Sequence, residues 1–138
     1  MSLADKQQRL IAKYGIIEDA QERLAAIVSR GKRAPAFPIE EKTEAHRVHG
    51  CVSLVWIVGA REGDVCRFRM DADSPLVKGL VAFTCELYDG ELASEIVETE
   101  PVWIEALGLE NSITPTRLNG LASVRATIRA FAAGPADR

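Results

Sequence analysis

Val52-Ser53-Leu54-Val55-Trp56-Ile57-Val58, followed by Gly59-Ala60-Arg61-Glu62-Gly63-Asp64 and then Val65-Cys66-Arg67-Phe68-Arg69-Met70, is the stretch that decides the fold. The first block is rich in β-branched and aromatic residues and predicts a strand buried on much of both faces. The second is turn chemistry. The third alternates, so that Cys66, Phe68 and Met70 share one face opposite Val65, Arg67 and Arg69. Together they predict an antiparallel hairpin with one face against a core.

Helical patterning surrounds the hairpin. Upstream, Leu3, Leu10, Ile11 and Tyr14 have helical spacing, with Ser2 and Asp5 placed as a capping box and Gly15 as a stop. A second helix starts at about Asp19, buries Leu24, Ile27 and Val28, and ends at Gly31. Lys32 to Arg47, with Pro35, Pro38 and a polar run, has neither periodicity and reads as a long surface connection; a further short strand is expected near His46 to Val48. Downstream, Asp71-Ala72-Asp73-Ser74-Pro75 is a helix start, with Ser74 able to cap and Pro75 preset for the first turn. Leu76, Leu80, Phe83 and Leu87 are that helix's buried stripe, up to Asp89-Gly90. Ala93 to Val97 and Pro101 to Leu107 predict two short helices, and Thr114-Pro115 opens a last one whose Leu118, Leu121, Val124, Ile128 and Phe131 face inward until Gly134-Pro135. Helices, then a hairpin, then helices again predict an α+β fold, a small antiparallel sheet packed against several helices, and not a wound parallel sheet. Residues 1–138 read as one domain.

Composition narrows the function classes. The 138 residues carry 17 Lys+Arg and 20 Asp+Glu, a net charge of −3, with no basic cluster, which argues against nucleic acid or an anionic membrane as partner. A chain of this length buries roughly two thirds of its unfolded surface and needs no metal or disulfide staple. No apolar run approaches the roughly 20 residues of a membrane helix. The N-terminus lacks the apolar core of a secretory signal, so a cytoplasmic location is expected. Three cysteines, Cys51, Cys66 and Cys85, form no CxxC pair, and a reducing compartment suits them.

Cys51 stands out among them. It follows Gly50 at the junction of a polar loop and an apolar strand, with His46, Arg47 and His49 close in sequence. A nearby cation favours the thiolate, which is the nucleophile, so this setting can lower a cysteine pKa. The same position also suits a small buried hydrophobe, and spacing leaves both readings open. Cys66 shares the inward strand face with Phe68 and Met70, and Cys85 flanks a helical stripe; both read as packing residues. His46, His49 and Cys51 could supply three zinc ligands, although no second pair at a familiar spacing accompanies them. Asp71 and Asp73 could pair for acid-base work, but helix capping by Asp73 and Ser74 accounts for them more simply.

His46-Arg47-Val48-His49-Gly50-Cys51-Val52-Ser53-Leu54-Val55-Trp56-Ile57 resembles the SufE family of cysteine desulfuration proteins, sulfur acceptors of iron-sulfur cluster assembly. Asp71-Ala72-Asp73-Ser74 with Leu76-Val77-Lys78-Gly79-Leu80 resembles the family's second block. Leu107-Gly108-Leu109, Thr114-Pro115-Thr116-Arg117 and Asn119-Gly120-Leu121 resemble its third. The resemblance implies an α+β fold akin to iron-sulfur scaffold proteins, a PLP-dependent cysteine desulfurase as partner and an iron-sulfur scaffold complex downstream. A homodimer is compatible with it. It implies no cofactor of the chain's own, since PLP belongs to the desulfurase, and no metal. The family's functional cysteine maps onto Cys51, which would carry sulfur as a persulfide, partly sheltered in the free protein. His49, Gly50, Asp73 and Arg117 would then be supporting or interface residues. Two positions depart from the family pattern: Leu54, where many members carry Gln, and His46, where many carry Asn. The alternative reading is a metal or cluster scaffold that uses Cys51 with His46 and His49.

Overall fold

The computed structural model describes residues 1–135; the last three residues of the expected domain lie outside the described residues. Two helices, α1 (Leu3–Gly15) and α2 (Ala20–Ser29), are followed by three short 3-10 turns. The hairpin β1 (Val55–Glu62) and β2 (Val65–Ala72) leads into α3 (Pro75–Tyr88). Then come the two-residue strand β3 (Glu91–Leu92), the short helices α4 (Ala93–Glu98) and α5 (Trp103–Ala106), and the long α6 (Pro115–Ala133). The sheet order is β1-β2-β3, antiparallel throughout. This is the expected α+β class.

Local chemistry sets most helix starts. The Asp5 amide donates to Ser2 Oγ and the Ser2 amide to Asp5 Oδ2, the reciprocal box expected. Asp19 and Thr114 side chains accept from the Glu22 and Arg117 amides. At α3 the structure corrects the sequence reading: Ser74 occupies the N-cap position but its side chain accepts no capping bond. Pro75 has already removed one donor of the first turn. The Asp73 carboxylate is used elsewhere, as described below.

The hairpin also differs from expectation at its ends. It pairs from Val55↔Ala72 to Glu62↔Val65, so the turn is only Gly63-Asp64, with Gly63 at φ +64°, and Val52 to Leu54 lie outside the strand. Gly59 belongs to β1 rather than to the turn. A Cβ there would sit 2.8 Å from the Phe131 ring, so glycine lets α6 lie directly on the strand. The strand expected near His46 to Val48 is a single bridge, Arg47↔Trp56, with the Val48 amide donating to the Val55 carbonyl at 2.8 Å.

The connection from Lys32 to Arg47 lies over the outer face of the hairpin. Lys42 Nζ pairs with Asp71 Oδ2 at 2.9 Å and sits over the Trp56 ring, and Arg69 is bidentate to Glu41 at 2.6 and 2.9 Å. Such a fork-to-carboxylate pair holds two planar groups in one relative orientation.

On the other face, α3 and α6 close the core. Leu80, Phe83, Leu87 and Tyr88 of α3 meet Val55, Cys66, Trp103, Val124 and Ile128 in one continuous buried cluster. Each fully buried aliphatic or aromatic side chain contributes ~1.5–3 kcal/mol over its exposed state. Among the described residues no helix is long and apolar enough to cross a membrane.

Candidate functional site

The segment between Val48 and Val55 is a loop closed at its base by the Val48–Val55 hydrogen bond. Two interactions hold it against the body of the protein. At one end Gly50 adopts φ +94° and passes so close to α6 that a Cβ would stand 2.4 Å from Ser123 Oγ. Only glycine meets both demands. At the other end the Leu54 amide donates to Asp73 Oδ1 at 3.2 Å, while the Asp73 amide donates to the Leu54 carbonyl at 3.1 Å. Asp73 thus ties the loop to the start of α3, which replaces the capping role expected from sequence.

Cys51 sits between these two ties. Its Sγ–H donates to the Gly120 carbonyl on α6 at 3.3 Å. Beside the thiol is a cavity of about 30 Å³, lined by Val77, Leu80, Val81 and Leu121 with Arg117 at the α6 side. A space of that order admits about one water-sized group. The next residue, Val52, is 83% exposed, and Leu54 is also on the surface. The thiol is half-buried, next to an apolar patch on the same loop.

Burial pushes the Cys51 thiol above its ordinary pKa, the opposite of what a nearby cation can do. The basic residues adjacent in sequence point elsewhere. His46 Nδ1 lies 2.8 Å from the Glu41 carbonyl, within the connection over the hairpin. His49 is 72% exposed, with Nε2 3.9 Å from Glu44, and Arg47 Nη1 is also 3.9 Å from Glu44. Neither imidazole is turned toward Cys51, and among the described residues no group of three His, Cys, Asp or Glu side chains is arranged to hold a metal. The ligand set of the alternative reading is therefore not assembled.

Of the residues singled out in the sequence, Cys51, Gly50, Asp73 and Arg117 converge on one loop and its seat, and His49 lies on the loop's exposed shoulder. The Arg117 side chain is exposed and has no hydrogen-bond or ion-pair partner among the described residues. Sequence reasoning about candidate residues passed over Gly120 and Ser123, which form the wall facing the loop. The available signal was a glycine inside a helical run. Cys66 and Cys85 are buried in the core as expected, and burial, with the Asp89 carboxylate nearby, pushes Cys85 up to about 12.

Fold and site define a small α+β domain that presents one loop thiol seated against a helix. The chain belongs to the SufE family: the family model described as an Fe-S metabolism associated domain matches residues 8–132, which assigns the chain to iron-sulfur metabolism. It is 35% identical over 116 residues to an uncharacterized SufE-like protein of Synechocystis sp., covering 84% of this chain and 73% of that protein. An uncharacterized SufE-like protein of Rhizobium etli is 32% identical over 126 residues, covering 88% of this chain and 85% of the relative. The solution structure of a hypothetical protein from Thermus thermophilus superposes with a TM-score of 0.70 over 92% of this chain and 93% of that one, at 23% identity, and shares the fold.

Proposed function

We propose that the protein is a sulfur acceptor and carrier that takes sulfane sulfur from a PLP-dependent cysteine desulfurase onto Cys51, stimulates that enzyme by relieving it of its persulfide, and passes the sulfur to an iron-sulfur assembly scaffold. The observation that supports this most directly is the seat of Cys51: a loop thiol with an apolar cavity beside it, large enough for about one more small group. The step is a thiol exchange. Cys51 thiolate attacks the terminal sulfur of the donor persulfide, a new bond forms from Sγ to that sulfur, and the donor's S–S bond breaks to leave the donor cysteine as thiolate. Charge and atoms balance, and no external oxidant or reductant is consumed. The sulfur arrives already at the sulfane oxidation level, and PLP remains with the donor.

Burial favours the protonated thiol, and bringing Cys51 out of its apolar seat favours the thiolate that attacks. Val52 and Leu54 supply apolar contact for the desulfurase at the loop, with His49 and the exposed Arg117 beside them. Gly50 and Asp73 are the hinge points. In this role the protein acts in the cytoplasm with its desulfurase. Alanine release by a cysteine desulfurase, measured with and without the protein, tests the proposal. Wild type accelerates turnover and Cys51→Ala does not; equal stimulation by both would overturn it.

A further inference from the structure

Helix α6 carries an interior glycine that no backbone torsion demands. Gly120 lies in regular helix, whereas the positive-φ glycines among the described residues are Gly50, Gly63, Gly90 and Gly108. A helix interior disfavours glycine relative to alanine because the bare backbone loses more freedom on folding. What gains is the space its side chain leaves. A Cβ on Gly120 would stand 3.2 Å from Cys51 Sγ, 3.8 Å from Cys51 Cβ and 3.9 Å from Cys51 Cα, and these are its three nearest neighbours outside its own helix. Two other tightly packed glycines differ in kind. At Gly79 a Cβ would strike the Val28 backbone at 2.4 Å, and at Gly31 it would meet the Gly79 backbone at 2.9 Å, so both serve the approach of one chain segment to another. Gly120 makes room for a thiol.

We propose that Gly120 is the positioning residue of Cys51: its absent side chain and its carbonyl together set how deep the sulfur sits beneath the loop. The carbonyl receives the S–H at 3.3 Å, and the cavity continues beside it between α3 and α6. A methyl at position 120 would fall inside ordinary contact distance of Sγ alone. The thiol, at the end of one rotatable bond on a loop, gives way before the helix does. It then moves toward the surface, loses its apolar surroundings and ionises more readily. The sulfur-carrying consequence, a less sheltered load, rests on the function proposed above; the placement of the thiol does not.

The test uses the full chain with Gly120→Ala, Cys51→Ala and the double variant. The rate of Cys51 alkylation by iodoacetamide is followed against pH by peptide mass spectrometry, and thermal unfolding is measured for each chain. In Gly120→Ala the alkylation rate at neutral pH rises roughly tenfold and the profile's midpoint moves down by about one pH unit. Gly120→Ala lowers the melting temperature when Cys51 is present and raises it when Cys51 is alanine, since the helix then gains propensity without a collision. An unchanged pH profile, or the same melting shift in both backgrounds, overturns the proposal. Failure of the carrier function is separately visible: a wild type that accepts no sulfur from a desulfurase leaves these readouts as they stand.

Discussion

Cys51 and Cys85 are both free thiols held up in pKa by burial, yet they sit in opposite kinds of surroundings. Cys85 lies inside α3, 4% exposed, with its carbonyl bonded to the Asp89 amide and its sulfur in the continuous core. Cys51 lies on a loop that is tied down at Gly50 and at Leu54, with exposed Val52 between. Burial alone therefore does not distinguish a loop thiol from a core one. The difference is the cost of uncovering it: local loosening of a few contacts for Cys51, disruption of a helix and the core for Cys85.

The largest effect expected from this contrast is kinetic. Under native conditions Cys51 is alkylated at least on the order of a thousandfold faster than Cys85, because exposing Cys85 requires opening on the scale of global stability. Peptide mapping after timed alkylation checks this, and similar rates for the two would erase the distinction. A second effect is thermodynamic. In the unfolded chain Cys85 ionises at about 8.5, whereas in the folded protein it does so only at about 12. Between those values the unfolded state binds fewer protons. Stability is thus fully present below the lower value and is lost as pH rises, by up to ~1.4 kcal/mol per pH unit from this thiol. Denaturant titrations across that window should show the decline, and Cys85→Ala should make it shallower while costing ~1–2 kcal/mol at neutral pH through the space left behind. The smallest effect concerns the tether. Asp73→Ala removes the acceptor for the Leu54 amide, a bond of ~0.5–1.5 kcal/mol, and should speed Cys51 alkylation about three- to tenfold. Asp73→Asn retains an acceptor oxygen and should stay near wild type. Equal behaviour of the two variants would show that Asp73 does not restrain the loop.

Much of the scaffold was legible because side-chain period and capping chemistry are local. The alternation of Cys66, Phe68 and Met70 placed β2, and Ser2, Asp19 and Thr114 opened the helices as expected. The strand ends were not legible. Val52 and Leu54 are apolar enough to count as strand, yet they are surface loop residues, and Gly59 looks like turn chemistry although it serves a close approach by Phe131. The site was legible only in part. Cys51 could be singled out from its position, but its adjacent cations turn toward Glu44 and Glu41, and its real partner, Gly120, lies 69 residues away on α6. From the residues alone Asp73 reads as a helix cap, because sequence shows the cap and not the loop that passes beside it; only the family resemblance places it among the supporting residues.

The most direct measurement is peptide mass spectrometry of the protein after incubation with a cysteine desulfurase and free cysteine, before any reductant is added. Sulfur transfer through the seated loop thiol predicts one added sulfur atom on the Cys51 peptide, removable by reductant, with none on the Cys66 or Cys85 peptides. An unmodified Cys51, or sulfur delivered to Cys66 or Cys85 instead, would contradict it.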